Sequence, residues 1–192
     1  MQIGCIILAA GKSTRFGGNK LLTSLDGVPL LARTLQAIPT DLFSQILAVV
    51  SHPEVALVCQ NCGVAVQAYE GGPQSQSIHL GLQAIDRVDG CLFVMGDQPL
   101  CSPDSIRRLV TSFQRNPLTV HRLTYQGQHS SPTLFPAHLF PALMRLTGER
   151  GGMAAVGDTP VCYVEASSAC ELWDADTPEK LAKIQQHLQA HL

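Results

Sequence analysis

The stretch CIILAAGKSTRFGGNK, Cys5 to Lys20, decides how the chain is read. It opens with an apolar run, Cys5–Ala9, that lacks the polar alternation of a half-exposed strand. Such a run predicts a central strand covered on both faces. It then passes into a loop holding Gly11, Gly17 and Gly18, the hydroxyls of Ser13 and Thr14, and three cations, Lys12, Arg15 and Lys20. Glycine lets backbone N–H groups approach a ligand, and successive N–H groups form an anion nest. Lys and Arg add charge, and Arg adds bidentate phosphate geometry. A loop of this composition suits a polyphosphate. Two familiar phosphate motifs do not match it. A GxxxxGK[ST] loop needs a glycine where Ile6 stands, and GxGxxG needs one where Ser13 stands.

Outward from this stretch, short apolar runs alternate with helical patterns. Strands are predicted at 5–9, 46–50, 64–68, 91–95, 119–123 and 161–165. Helices are predicted at 30–37, 53–60, 77–86, 103–115, 136–146 and 178–192. Pro103, Pro136 and Pro178 sit near helix starts, with Ser102 and Thr177 placed as N-caps. The alternation implies a single α/β domain over residues 1–192, a three-layer α/β/α sandwich around a mostly parallel sheet. The polar segment 125–131 reads as a hairpin or mobile loop near a site. In open sheets of this kind, ligands bind beyond the carboxyl ends of the strands, at a topological switch point. By that rule the loop after Ala9 should face the loop after Met95, where Asp97 follows a second apolar strand. A carboxylate there, opposite a cationic phosphate loop, suits Mg²⁺, which prefers one or two carboxylates plus phosphate oxygens. Asp174 and Asp176 supply a later acidic pair, and one of them is a candidate to join Asp97. Their alternative role is to place negative charge at the start of the last helix.

Composition excludes other classes. Of 192 residues, 45% are hydrophobic and the net charge is −2, which argues against disorder. A pI near 6.4 argues against a nucleic-acid binder acting through a basic field. Charged residues make up only 15% of the chain, and none of the 13 Lys and Arg falls between residues 34 and 86. The cluster at Lys12, Arg15 and Lys20 therefore stands out. The opening MQIGCIILAA has no basic stretch before its apolar run, and that run is too short to span a membrane. Seven cysteines, scattered and mostly in apolar runs, suggest reduced thiols and a cytoplasmic protein. The lone CxxC, Cys59 and Cys62, reads as the end of a helix.

These segments resemble a known family. LAAGKSTRFGGNKLL (8–22) is similar to the LAAGxSxRxGxxKxL signature of nucleotidyltransferases with a Rossmann-like, GT-A-like fold. FVMGDQPL (93–100) resembles their metal-aspartate segment, and DADTPEKL (174–181) their closing D-x-D-T-P-E. LTGERGGMAAV (146–156) and SPTLF (131–135) resemble segments of one branch, the molybdenum cofactor cytidylyltransferases and their relatives.

The resemblance implies a reaction and assigns roles. A nucleoside triphosphate, CTP by this branch, transfers its nucleotidyl group to the terminal phosphate of molybdopterin carrying molybdenum, and pyrophosphate leaves. Leu8, Ala9, Ala10 and Gly11 would hold the base and ribose end. Lys12, Ser13 and Arg15 would grip the departing phosphates, and Lys20 would stabilise the α-phosphorus. Asp97 and Asp176 would bind Mg²⁺, and Ser77 would lie at the start of a helix over the nucleotide. Arg15, Lys20 and Asp97 are the expected catalytic residues. Guanylyl-transferring relatives typically show LAGG, so Ala10 leans towards cytidine. The acceptor side departs from the branch. Ser130-Ser131-Pro132 replaces Gly-His-Pro, with His129 two residues early. Met153 stands where an Arg often follows the glycine pair, and His79 is the basic residue in the helix after the serine segment. Alternatives are a sugar or polyol phosphate acceptor, GTP as donor, or a non-catalytic protein delivering cofactor to a molybdenum hydroxylase or its chaperone.

Overall fold

The computed structural model describes residues 1–11, 16 and 18–190. A seven-stranded sheet runs through it. In chain order the elements are β1 (Ile3–Ala9), a small hairpin of β2 (Ser24–Leu25) and β3 (Val28–Pro29), α1 (Leu30–Gln36), β4 (Gln45–Val50), α2 (Pro53–Asn61), β5 (Ala65–Ala68) and α3 (Gln74–Ala84). There follow β6 (Gly90–Met95), α4 (Pro103–Arg115), β7 (Val120–Tyr125), β8 (Gln128–Pro136), α5 (Phe140–Leu143), β9 (Val161–Glu165) and α6 (Pro178–Gln189). The sheet order is β5-β4-β1-β6-β8-β7-β9. Only β8 runs against the rest, so the sheet is mostly parallel as expected.

The two apolar runs are the centre of this sheet. β1 pairs in parallel with β4 on one side and with β6 on the other. Its residues alternate between two cores. Ile3, Cys5, Ile7 and Ala9 pack with α1, α2, α4 and α6, while Ile6 and Leu8 pack towards α3 and α5. All seven residues of β1 are buried, which is why the run shows no polar alternation. On the second face α3 lies close to the sheet at Gly81. A Cβ there would stand 2.7 Å from the Cγ2 of buried Ile6, so only glycine allows this approach.

The chain passes from β1 through α1 to β4, and through α2 to β5, always outward on one face. It then returns by α3 on the other face to β6, on the far side of β1. The switch point therefore lies between β1 and β6, at their carboxyl ends. Leu8 pairs with Met95 there, and the Gly96 N–H donates to the Leu8 carbonyl at 3.0 Å.

Several expectations are corrected. α3 starts at Gln74 and not at 77, because Ser75 and Ser77 are already buried against the sheet, so Ser77 lies in the first turns rather than at the start. The helix expected at 136–146 is a short 3-10 turn followed by the four residues of α5. Pro136 itself ends β8 in extended backbone. β8 extends through 128–136, a strand that the six predicted runs omit. The polar segment at 125–131 is its hairpin with β7, turning at Gln126 and Gly127, whose φ values of 48° and 80° are those of a type I′ turn. Ser102 and Thr177 cap α4 and α6 as expected, accepting from the Ser105 and Lys180 N–H groups. Cys59 is buried in α2 and Cys62 closes it. All seven cysteines are free.

One buried carboxylate braces the end of the sheet. Glu171, 3% exposed, accepts from the Ser102 N–H (3.0 Å), the Ser102 hydroxyl (2.8 Å) and the Ser167 N–H (2.9 Å). Burial opposes its charge, but hydrogen bonding from the Ser105 hydroxyl, then from Ser102 and Ser167, outweighs burial and holds its pKa below the usual glutamate value. Replacing Glu171 with Gln sets an amide N–H against a backbone N–H and is expected to cost about 1–3 kcal/mol at pH 7. The carboxylate's advantage is fully present above the ordinary glutamate pKa and is lost as pH falls through the depressed folded value. Urea denaturation of both proteins at pH 7 and in acid should show the gap closing in acid. A gap independent of pH would contradict this account.

Candidate active site

Three side chains from three separate segments meet at the switch point. Lys20 opens a 3-10 turn after the glycine-rich loop, Asp97 follows β6, and Asp176 precedes α6. The Lys20 ammonium donates to Asp97 Oδ2 at 2.5 Å and to Asp176 Oδ1 at 2.7 Å. Asp97 is buried, while the Asp176 side chain is half-exposed. The Ala175 N–H donates to the Asp97 carbonyl (3.0 Å), which fixes the acidic segment against the loop after β6. Asp174 turns away to Lys180 (2.5 Å) and accepts from the Asp176 N–H (3.3 Å). Of the late acidic pair, Asp176 is the one aligned with Asp97.

Burial pushes the Asp97 carboxyl up, and the neighbouring Lys20 offsets only part of the rise. Asp176 is also penalised by burial, but the hydrogen bond and charge of Lys20 outweigh this and hold it below the usual range. Burial opposes the charge on Lys20 too, yet Asp97 and then Asp176 outweigh it and raise its pKa. Two carboxylate oxygens aimed at one cation form a hard-oxygen donor pair, the kind that suits Mg²⁺ alongside phosphate oxygens. Among the described residues, no group of three or more His, Cys, Asp or Glu side chains converges to hold a metal.

Two cavities share this corner. The smaller, about 410 Å³, is lined by Leu8, Ala9, Ala10, Gly11, Lys20 and Ser77, together with Asp97 and Asp176. The larger, about 460 Å³, opens towards β8, with Phe93, Phe135 and Met153 on its apolar walls. Asp97 and Asp176 border both. The structure thus brings together Leu8, Ala9, Ala10, Gly11, Lys20, Ser77, Asp97 and Asp176 of the expected site. Lys12, Ser13 and Arg15 lie outside the described residues. The Ser77 hydroxyl is 2.7 Å from the Tyr69 hydroxyl, and the Ala10 carbonyl accepts from Ser51 Oγ at 3.2 Å.

His129 lines the larger cavity despite its offset in sequence. Its ring stacks on Tyr163 at 4.0 Å, and its Nδ1 is 2.9 Å from the Thr124 hydroxyl. His79 lines neither cavity. Ser131, within the SPTLF segment, pins β8 to β6. It accepts from the Met95 N–H at 3.2 Å and donates to the Phe93 carbonyl at 3.3 Å. Two lining residues carry no signal in the sequence. Gln74, on α3, borders both cavities, and Arg122 lies in β7.

The fold and this corner define a nucleotidyltransferase. Residues 5–162 match the MobA-like NTP transferase domain, and the chain belongs to that family. It is similar to the purine catabolism protein PucB of Bacillus subtilis, 26% identical over 91% of this chain and 92% of that one. It is also similar to a probable molybdenum cofactor guanylyltransferase of Thermococcus sibiricus, 27% identical over 88% and 87%. Among solved structures, a nucleotidyl transferase from Methanothermobacter superposes with a TM-score of 0.86 at 23% identity, covering 100% of this chain and 99% of that one.

Replacing Lys20 with Met would leave two carboxylates facing each other. The expected loss of stability at pH 7 is about 1–3 kcal/mol, below that of a fully buried pair because Asp176 is half in water. Removing the ammonium raises the Asp97 pKa further above its unfolded value. The deficit should therefore be full at neutral pH and shrink as acid protonates the carboxylates. Thermal melting across pH tests this, and a deficit that grows in acid would refute it.

Proposed function

We propose that the chain transfers a nucleotidyl group from CTP to the terminal phosphate of molybdopterin carrying molybdenum, releasing pyrophosphate. The observation that carries this reading is the shared border of the two cavities. Donor and acceptor can lie on either side of Asp97 and Asp176, so an acceptor phosphate oxygen meets the α-phosphorus in line. Little covalent work is asked of the protein, and rate comes from positioning and charge. The backbone of Ala9, Ala10 and Gly11 receives the nucleoside end of the donor, with Ser77 across the cavity. Lys20 meets the charge that develops on the α-phosphoryl oxygens. Lys12, Ser13 and Arg15 are proposed to hold the β- and γ-phosphates that leave. Asp97 and Asp176 would hold Mg²⁺, which when bound supplies positive charge against the phosphate oxygens. The catalytic residues are then Arg15, Lys20 and Asp97.

The donor base rests on Ala10, buried at the rim of the smaller cavity, where guanylyl-transferring relatives carry glycine. GTP is the second reading, favoured by the similarity to proteins named as guanylyltransferases. We further propose a single domain located in the cytoplasm, for which the free cysteines give support. A molybdenum hydroxylase or its chaperone would receive the product.

Purified protein with Mg²⁺, molybdopterin and each of CTP, GTP and ATP should release pyrophosphate with CTP. Asp97→Ala should lower the rate by about two to three orders of magnitude. Release with no triphosphate would sink the reading, and release with GTP alone would replace the donor. Ala10→Gly should shift the ratio of CTP to GTP use towards GTP. An unchanged ratio would remove Ala10 as the selector.

A further inference from the structure

Arg122 belongs to the larger cavity by sheet register. Phe93 of β6 pairs with Thr133 of β8, Thr133 with Arg122 of β7, and Arg122 with Tyr163 of β9. Directly opposed residues share a face, so these four form one row across the sheet. Phe93 fixes that face as the one packed by α3 and α5, while Leu123 turns to the opposite core. The Arg122 Nε donates to the Ser130 carbonyl (3.3 Å) and its Nη2 to the His129 carbonyl (3.4 Å). Both acceptors are neutral backbone groups. Among the described residues, no ion pair joins Arg122 to a carboxylate. A half-buried guanidinium without a counter-ion, lining a cavity, is matched by an anionic ligand.

Gln98 braces Ser130, whose carbonyl accepts from Arg122. It is 2% exposed, and its Nε2 donates both hydrogens, to Ser130 Oγ (2.8 Å) and to the Leu172 carbonyl (3.4 Å). A carbonyl only accepts, so the amide orientation is fixed. Its Oε1 is then left buried with no partner.

We propose that Arg122 selects the acceptor by holding an anionic group of an organic phosphate. This rests on the nucleotidyl-transfer reading of the shared corner. It also explains how the acceptor side manages without the arginine replaced by Met153. A cation reaches the cavity from the sheet floor instead of from the glycine segment.

Equilibrium binding separates the two ideas. Wild type, Arg122→Gln and Arg122→Lys are titrated with metal-free molybdopterin, a hexose 1-phosphate and 2-C-methyl-D-erythritol 4-phosphate, and separately with CTP and GTP. Circular dichroism checks that each variant is folded. The acceptor bound by wild type should bind about tenfold or more weakly to Arg122→Gln. Arg122→Lys should recover part of the loss, since it keeps the charge without the fork. Triphosphate affinity should not change. Equal acceptor binding in wild type and Arg122→Gln would overturn the proposal. So would an equal loss for donor and acceptor, or a wild type that binds none of the three phosphates. If Arg122→Gln weakens acceptor binding but wild type releases no pyrophosphate, nucleotidyl transfer falls while Arg122 stands. If wild type binds another phosphate in place of molybdopterin, only the named acceptor falls.

Discussion

The parallel pairing of β1 with β6 is the constraint on which the site depends. These strands are distant in sequence, yet their register sets Leu8 beside Met95 and ties the Gly96 N–H to the Leu8 carbonyl. The glycine-rich loop and the Asp97 loop therefore leave the sheet side by side. Neither strand reaches this position through local preference. Each is buried on both faces, so the helical layers on either side must form for the pairing to be favourable. The chemistry at the corner is thus coupled to the packing of the whole sandwich.

The same coupling explains a costly arrangement of charge. Asp97 is buried, and burial raises its pKa even with Lys20 alongside. A protein selected only for stability would place an apolar residue there. The Lys20 ammonium lowers the cost without removing it, while the nearby charge of Asp176 adds to it. Glu171 meets the opposite balance nearby. Its donors from Ser105, Ser102 and Ser167 outweigh burial, and it stabilises the segment that delivers Asp176. One buried carboxylate supports the frame, while the other sits at the corner shared by the two cavities.

What was legible in the sequence follows from burial. β1 and β6 show as apolar runs because both their faces are covered, and α4 is bounded by a capping serine, a proline and an amphipathic pattern. β8 is hard to see because it begins with exposed polar residues in its hairpin and contains Pro132. Its partners are also antiparallel, in an otherwise parallel sheet. The helix expected after Pro136 fails because that proline takes extended backbone and Pro141 falls inside the next short helix. At the site, Lys20, Asp97 and Asp176 were readable because charge is scarce and each follows or precedes a recognisable segment. Arg122 was not, since it sits within a strand-like run. Periodicity gives the face on which such a residue lies, but not that the helices on that face leave it beside a cavity.

The larger cavity is built partly from a segment that departs from the motif of the related branch. Sequence position alone sets His129 two residues away from the histidine of the related branch. The pairing of β7 with β8 shifts register between Arg122 and Leu123, so Arg122 faces Thr133 while Leu123 faces Ser130. That shift skips two residues, Ser131 and Pro132. Ser131 is free to pin β8 to β6, and the backbone on either side carries His129 and Arg122 to one cavity. On the proposed reading, an acceptor side here is better judged by the row Phe93, Thr133, Arg122 and Tyr163 than by the missing Gly-His-Pro.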